Sequence, residues 1–558
     1  MKLEKVLCIV LLLILSVSGT LSAEEKSAPK RSVEDAEIAF GKSTVDRFEE
    51  MFQNEQFDFN PYGRFKINVL HYAVFMNNLD SVKLLIEKGV DVNARDNSDI
   101  TPLMAAANNN NLEITKYLVE NGADVNVPDD DGNTAVFLAA ITGNIEMVQY
   151  LVEKGADITT KNKTDSTILN YAARSGNLKL VQWLVEKGID VNAKNDSEYS
   201  CLHHAALSGN LELVQWLVEK GLDVNAKNDE SFTCLHFAAQ SGNLELVKWL
   251  VEKGLDVNAK SEEESTPLHE AAQSGNLELV QWLVEQGADI HAKTYRNQTV
   301  LCFAAQSGNL ELVQWLVEQG VEGVKDYDVL YEAVHSRNME LIQWLIDQGA
   351  DVSSNYLVLT SAVYYNDMKL AQYLVKQGAD VRKSVGALDQ AVWSGNMEML
   401  EWLIAYGADV NSKDSEGRSV MWYAVNSNNM DALHYLVEHE GVDVNTPIYK
   451  SSIYNNSYFS ALEEAVNRND FETVKYLVEH GAYINPHHGF NYYRIPGWYY
   501  MDHVDPEIVQ YLRDHDSVLT GLSVAVSLIV LAAFLAIFYF IYRMVRPRKP
   551  AKTELSSS

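Results

Sequence analysis

The chain has 558 residues, of which 47% are hydrophobic and 22% are charged, a composition typical of folded rather than disordered protein. Its formal net charge of −32 argues against nucleic acid as a partner, because a phosphate backbone is bound through a surplus of lysine and arginine. A basic protein partner is compatible with this charge, although an acidic surface that maintains solubility is the favoured interpretation. Four cysteines without a CxxC pair predict neither a disulfide framework nor a zinc site.

The first 23 residues have the pattern of a secretory signal peptide. Lys2 and Lys5 precede an apolar run from Val6 to Val17, and small residues follow up to Ala23, near which we expect cleavage. An uncleaved anchor is the alternative, and it would still send the following residues across the membrane. Residues 24–65 form an N-terminal segment in which VDRFEEMF, Val45 to Phe52, is predicted to be a capping helix.

Residues 517–542 are predicted to form a transmembrane helix. Val518 to Tyr542 holds 25 residues without a charge. At about 1.5 Å per residue such a helix exceeds a ~30 Å hydrocarbon layer. The basic tail 543–558 follows it, and basic flanks stay in the cytoplasm. We therefore expect a single-pass membrane protein whose N-terminal part is exoplasmic or periplasmic. Gly521 and Ala525 have the spacing of a helix-pairing motif, weak support for a homodimer.

An internal repeat is the most extensive feature of the sequence. Residues that match Leu268 of the stretch TPLHEAA recur at intervals of 33, later 29, and finally 33 and 41 residues. A fixed period of this length predicts a solenoid. The thirteen matching positions are Leu70, Leu103, Val136, Leu169, Leu202, Leu235, Leu268, Leu301, Leu330, Leu359, Leu388, Met421 and Leu462.

Each unit predicts two helices and an extended connection. In the unit of Leu202, the first helix contains the adjacent Ala205 and Ala206, which permit close packing. Asn210 is expected to cap the second helix, LELVQWLVEKG, and Gly221 to end it in a left-handed conformation. The segment LDVNAK and a polar tip follow, and then the next unit begins.

These units resemble the ankyrin repeat. The matching elements are Thr-Pro-Leu-His at 266–269, the Ala pair at 271–272, Gly-Asn-Leu-Glu-Leu-Val at 275–280 and Gly-Ala-Asp at 287–289. The resemblance covers residues 66–484. It implies an all-α solenoid of about thirteen stacked helix-turn-helix repeats with β-hairpin-like fingers. It also implies that partner proteins bind on a concave face, without catalysis.

Three departures from the repeat are expected to change the solenoid locally. Units shorter by four residues predict truncated fingers between about 322 and 387. The longer connection at 447–460, rich in Tyr and Asn, is either a functional loop or a tolerated insertion. Residues 485–516 are predicted to be a C-terminal cap and juxtamembrane segment, with Tyr511 in the capping helix.

Two sets of candidate contact residues follow from the resemblance. Variable first-helix positions face the binding groove in the ankyrin family, and here they are Tyr171, His204, Phe237, Glu270 and Phe303. The finger tips carry exposed acidic residues that would attract a basic partner, with a solvated edge as the alternative: Asp130, Glu198, Asp229 and Glu263. The family's usual histidine, which makes internal hydrogen bonds, is matched by His203, His236 and His269.

One position of the second helix is aromatic in nearly every unit, as at Trp216. A binding stripe is one interpretation, but a core between repeats is favoured, in which Trp216→Ala would cost about 3–5 kcal/mol.

The sequence contains no catalytic constellation, phosphate-binding loop or metal motif, which predicts neither an enzyme nor a cofactor. The expected function is a membrane-anchored protein-interaction module that displays a concave surface outside the cytoplasm. The alternative is a structural spacer or adhesion rod without a single specific partner.

Overall fold

The computed structural model describes residues 69–446, 448–451, 457–484, 504–512 and 515. They divide into two compact units, one ending at Asn355 and the other beginning at Tyr356. The predicted signal peptide, N-terminal capping helix, transmembrane helix with its pairing motif, and basic tail lie outside the described residues. Within the described part, every helix is too short or too polar to span a bilayer.

The first unit consists of nine successive helix pairs. Their first helices are α1 Val69–Phe75, α3 Pro102–Asn108, α5 Ala135–Ile141, α7 Ile168–Arg174, α9 Cys201–Ser208, α11 Cys234–Ser241, α13 Pro267–Ser274, α15 Val300–Ser307 and α17 Tyr327–Ser336. Their second helices are α2 Leu79–Glu87, α4 Leu112–Glu120, α6 Ile145–Glu153, α8 Leu178–Glu186, α10 Leu211–Glu219, α12 Leu244–Glu252, α14 Leu277–Glu285, α16 Leu310–Glu318 and α18 Met339–Asp347.

The second unit adds four pairs, so that the described residues contain thirteen and the predicted helical solenoid is confirmed. The first helices are α19 Tyr356–Tyr364, α21 Val385–Trp393, α23 Val420–Asn426 and α25 Ala461–Asn467. The second helices are α20 Met368–Lys376, α22 Met397–Ala405, α24 Met430–His434 and α26 Phe471–Glu479. Of the predicted C-terminal cap, residues 506–512 are helical.

The helix boundaries follow the local chemistry predicted from the sequence. The side chain of Asn210 accepts a hydrogen bond from the Leu213 amide at 3.0 Å, which satisfies a free donor at the start of α10. Gly221 follows α10 with a φ of 98°, where a residue with a Cβ atom would be strained. The predicted cap and stop of the second helix are therefore both confirmed.

The core lies between the two helices of each pair and between neighbouring pairs. Ala205, Ala206, Leu213, Val214 and Leu217 are all fully buried. Small alanine side chains let first helices approach each other closely, and first helices contact their neighbours far more extensively than second helices do. The first-helix side is consequently the more tightly packed side of each unit.

Asparagines at the start of the second helices also join neighbouring pairs. The Asn210 amide Nδ2 donates to the Gly176 carbonyl oxygen at 2.8 Å, one repeat back along the chain. The same bond recurs, at 2.7–2.9 Å, from Asn177 to Gly143, Asn243 to Gly209, Asn276 to Gly242, Asn309 to Gly275 and Asn338 to Gly308. One side chain therefore caps a helix and holds the repeat register.

The finger tips form a second ladder, made of backbone groups. The Asp229 amide donates to the Ser197 carbonyl oxygen on the preceding finger at 3.2 Å. Equivalent bonds of 2.8–3.0 Å run from Asp130 to Ser98, Lys163 to Asp131, Asp196 to Thr164, Glu262 to Glu230 and Tyr295 to Glu263. Each finger in this region is thus tied to the next at its tip.

The fingers of the shorter units are truncated, as predicted. Isolated β-bridges close several fingers, including Lys194 with Ser200 and Lys293 with Thr299, and the next bridge in the described residues joins Lys413 with Ser419. After α16 only a short turn precedes Tyr327, where α17 begins. The missing four residues are therefore removed from the finger and not from the helices.

The connection at 447–460 contains a small antiparallel hairpin. Strand β1, Tyr449–Ser451, pairs with β2, Ser457–Phe459, and Tyr449 lies opposite Phe459. The hairpin extends from the second unit between α24 and α25. Whether it is a functional loop or a tolerated insertion stays open.

A single extra residue is absorbed as a π-helical turn. Gly221 follows the capping Asn210 by 11 positions, whereas Gly441 follows the capping Asn429 by 12. The structure accommodates the difference by continuing α24 as a π-helix over Tyr435–His439.

Candidate protein-binding surface

The five predicted first-helix residues occupy the same position on successive first helices, from α7 to α15. We call this the first-helix surface: Tyr171, His204, Phe237, Glu270 and Phe303. Phe237 and Glu270 are only 9% and 7% exposed, whereas the other three are half-buried. The surface therefore presents three accessible side chains, with two packed more deeply between them.

Tyr171 and Glu270 are satisfied by internal hydrogen bonds. The Tyr171 hydroxyl donates to the Asn133 Oδ1 atom at 2.7 Å and accepts from the Asn162 amide at 3.0 Å. Glu270 accepts a hydrogen bond from the Ser265 hydroxyl at 2.9 Å, and burial raises the pKa of its carboxyl group. Both side chains are therefore held in fixed positions before any partner binds.

An aromatic cluster surrounds His204. The Tyr199 ring lies 5.6 Å from the His204 ring, tilted by 30°, and 5.6 Å from the Phe237 ring. The His203 ring meets Phe237 edge-on at 5.7 Å. The edge-on pair has a favoured geometry for aromatic contacts, and the two tilted pairs bring all four rings into one cluster.

A half-open cavity of about 220 Å³ adjoins this cluster, and we call it the Tyr199 cavity. Residues from three successive repeats line it: Arg174, Asn195, Tyr199, His203, His204, Leu207 and Phe237. Sequence reasoning identified His204 and Phe237 but missed Arg174 and Tyr199. A signal for Arg174 existed, because the next three repeats have Leu207, Gln240 and Gln273 at its position.

The polar groups of the cavity are incompletely paired. The Nε2 atom of His204 is buried and has no hydrogen-bond partner among the described residues. Burial lowers the pKa of His204 to about 4, helped by the positive charge of Arg174, so the imidazole is neutral at pH 7. Arg174 is exposed, and no ion pair joins it to a carboxylate of the described part of the chain.

The predicted acidic finger-tip residues are all exposed, but they differ in pairing. Glu198 lies 2.6 Å from the Lys194 ammonium, and Glu263 lies 3.9 Å from the Arg296 guanidinium. Asp130 and Asp229 form no ion pair with any described residue. Two of the four predicted carboxylates therefore have a cationic neighbour, and two do not.

The aromatic position of the second helix is intermediate in burial in most repeats and is buried at Tyr476, so it lies neither wholly in the predicted core nor fully on the surface. Trp216 is partly exposed beside the fully buried Leu217. The Lys220 ammonium lies 5.1 Å from the centre of its ring, within reach of a cation–π interaction. The same arrangement occurs at Trp183 and Trp249.

The family histidines make internal hydrogen bonds, as the resemblance implies. The Nδ1 atom of His203 accepts from the Ser200 amide at 3.1 Å, while its Nε2 atom lies 3.2 Å from the Ala226 carbonyl oxygen. His236 repeats the pattern with Thr233 and Ser265. Among the residues that the structure describes, no group of histidine, cysteine and acidic side chains could hold a metal ion.

The repeated helix pairs and their ladders define a helical repeat solenoid with a rigid, accessible first-helix surface. A family model of three ankyrin repeats matches the segments 70–162, 103–196, 158–228, 202–294, 235–328, 268–356, 301–385 and 388–488. These matches cover well over half of the chain, which therefore belongs to the ankyrin-repeat family. Ankyrin-repeat proteins are generally non-catalytic modules that bind other proteins. The comparison with curated proteins found no match.

Proposed function

We propose that this chain is a membrane-anchored, non-catalytic protein-interaction module that displays its first-helix surface outside the cytoplasm. The observation that supports the binding function is the first-helix surface with its open Tyr199 cavity. Its side chains differ from repeat to repeat, whereas the buried positions beneath them are nearly identical. A constant core under a varied, rigid surface is suited to recognition of one protein partner.

The membrane part of the proposal rests on the sequence alone. The apolar run behind Lys2 and Lys5, the uncharged segment from Val518 to Tyr542 and the basic tail agree on one orientation. The test is protease treatment of intact cells, or of spheroplasts, that carry a tag after Ser558. Reduction of the tagged band to a small protected fragment supports an external solenoid. A full-length band that is lost only on lysis contradicts it, provided that a cytoplasmic control survives.

The binding part is tested by site-specific photo-crosslinking in cells. A photoreactive phenylalanine analogue replaces Phe303 on the first-helix surface or, as the control, Trp315 on the second helix of the same repeat. We expect a discrete adduct from position 303 and none from position 315, because partners of a specific surface approach one side. Adducts of equal yield from both positions, or from neither, contradict a specific surface.

A spacer or adhesion rod is the second candidate, and the ladders between repeats favour it. Bonds such as Asn243 to Gly209 and Asp229 to Ser197 stiffen the array irrespective of any partner. A rod predicts no discrete adduct at position 303, so the same crosslinking experiment separates the two functions.

A further inference from the structure

We propose that the Tyr199 cavity is a receptor for a single acidic side chain, an aspartate or glutamate within an extended segment of the protein partner. The inference rests on the proposed binding function and specifies the chemistry that the first-helix surface recognises. It assigns Arg174 and His204 as the two groups that bind the carboxylate.

Two polar groups that line the cavity lack partners. Arg174 offers a guanidinium, which binds carboxylates through paired N–H donors. The buried Nε2 atom of His204 also lacks a partner in the described part of the chain, and in the neutral ring it can carry the proton and donate. In the proposed complex, the carboxylate accepts hydrogen bonds from both groups. Binding would therefore satisfy a buried atom that the free protein leaves unpaired.

The size of the cavity restricts the occupant. Its volume is about 220 Å³. Sites for small molecules and cofactors are usually larger, at about 300–1,000 Å³. Leu207, Tyr199 and Phe237 supply apolar walls for the methylene groups of one side chain. A lysine or arginine of the partner is disfavoured, because it would meet the Arg174 charge.

A segment that continues past the cavity is favoured over a chain terminus. The Gln240 amide donates to Gln273 at 3.4 Å, and Gln273 donates to Gln306 at 2.8 Å. These glutamines occupy the position equivalent to Arg174 on the second, third and fourth repeats after it. They therefore extend the surface beyond the cavity. Exposed side-chain amides can donate to, and accept from, the backbone of an extended peptide.

The acidic character of the whole chain does not oppose this assignment. The unpaired carboxylates Asp130 and Asp229 lie on finger tips, whereas the cavity is lined by one cation and no carboxylate. A partner with one acidic residue opposite the cavity and basic residues opposite the finger tips complements both regions. Complementary charges of both signs fix the register of the partner on the surface and favour the correct partner over others.

The repeats themselves supply substitutions that the fold accepts. Arg174→Gln introduces the residue found at 240, 273 and 306, and His204→Phe introduces the residue found at 237. Lys179→Gln is the matched control, because it removes an exposed cation from α8, the second helix of the repeat that contains Arg174. Circular dichroism of each variant confirms that the helices are retained.

The probes are three tripeptides, and their binding to the full-length chain is measured by saturation-transfer NMR. Acetyl-Leu-Glu-Leu-amide carries a side-chain carboxylate, acetyl-Leu-Gln-Leu-amide carries none, and acetyl-Leu-Gln-Leu has only a terminal one. We expect the glutamate peptide to bind about tenfold more tightly than the blocked glutamine peptide, the effect of one hydrogen bond to a charged group. Arg174→Gln and His204→Phe should each reduce this preference, whereas Lys179→Gln should preserve it.

Three results would overturn the assignment. One is equal affinity of the two blocked peptides, or no saturable binding of either. The second is a preference that survives Arg174→Gln. The third is tighter binding of the peptide with a free terminus, which would make a chain end the occupant. A discrete adduct at position 303 without discrimination between the peptides would support the proposed binding function. It would contradict only the assignment of the cavity as a receptor for an acidic side chain.

Discussion

Asn243 offers a test of how neighbouring repeats are held together. Its Oδ1 atom accepts from the Leu246 amide at 3.0 Å and caps α12, while its Nδ2 atom donates to the Gly209 carbonyl oxygen at 2.8 Å. Asn243→Asp keeps the capping oxygen, because aspartate caps helices as well as asparagine does. The substitution replaces the donor with an oxygen that faces the Gly209 carbonyl. It therefore removes the bond between repeats and leaves the cap.

The size of the effect follows from these two bonds. Loss of the bond to Gly209 costs about 1–2 kcal/mol, since a part-buried carbonyl loses its donor. Asn243→Ala removes the cap as well, which adds about 1 kcal/mol. Asp367 is a natural control, because it caps α20 through the Leu370 amide at 3.0 Å but has no amide to donate. Asp367→Ala should therefore cost only about 1 kcal/mol.

Hydrogen exchange detected by mass spectrometry is the suitable assay, because a long repeat array opens locally and not in one step. We expect amides of α11 and α12 to exchange roughly five- to thirtyfold faster in Asn243→Asp than in the unaltered protein. Exchange equal to that of the unaltered protein would show that the bond to Gly209 contributes nothing. Exchange as fast in Asn243→Asp as in Asn243→Ala would show that cap and link cannot be separated.

Three further predictions concern single side chains. Because Trp216 is half-buried, Trp216→Ala should lower the free energy of unfolding by about 1–2 kcal/mol. Leu217→Ala, at a fully buried position, should lower it by about 2–5 kcal/mol. Equal losses of protection from hydrogen exchange in α10 would favour the core interpretation of Trp216. Burial raises the pKa of Asp389 from 3.8 to about 7, so the folded protein holds this proton longer than the unfolded chain. The stability around α21 should fall as the pH rises from about 4 to about 7 and then level off. Asp389→Asn should abolish that fall in exchange measurements at pH 5 and pH 8, and an unchanged profile would refute the assignment. Burial raises the pKa of Cys234 to about 12, so its thiol should resist Ellman's reagent at pH 8 until urea is added; immediate labelling, located by peptide mass spectrometry, would contradict this.

Local signals account for what the sequence predicted correctly. Asn210, Gly221 and the four-residue deletions act within one repeat, and their effects on caps and fingers follow from backbone chemistry. The period identified the helix pairs, since it recurs thirteen times. The structure places the acidic finger-tip residues at exposed positions, and the pairing of Glu198 with Lys194 was not foreseen.

The remaining features depend on how the repeats stack. Trp216 recurs with the same period as Leu217, so periodicity alone does not tell which residue the neighbouring repeat covers. The Tyr199 cavity combines Arg174, His204 and Phe237 from three repeats, and its volume depends on their relative positions. An inserted residue near Gly441 was visible in the sequence, but its absorption as a π-turn depends on packing at both helix ends.

The ladder of finger tips leaves the side chains at its hydrogen-bonded positions free to diverge. Its bonds join main-chain groups, as from Asp229 to Ser197, and therefore place almost no demand on the side chain. The charge along this edge can change by substitution while the scaffold below stays constant. Proline is the exception, because it has no backbone N–H to donate. The finger edge and the first-helix surface can accordingly diversify independently of each other.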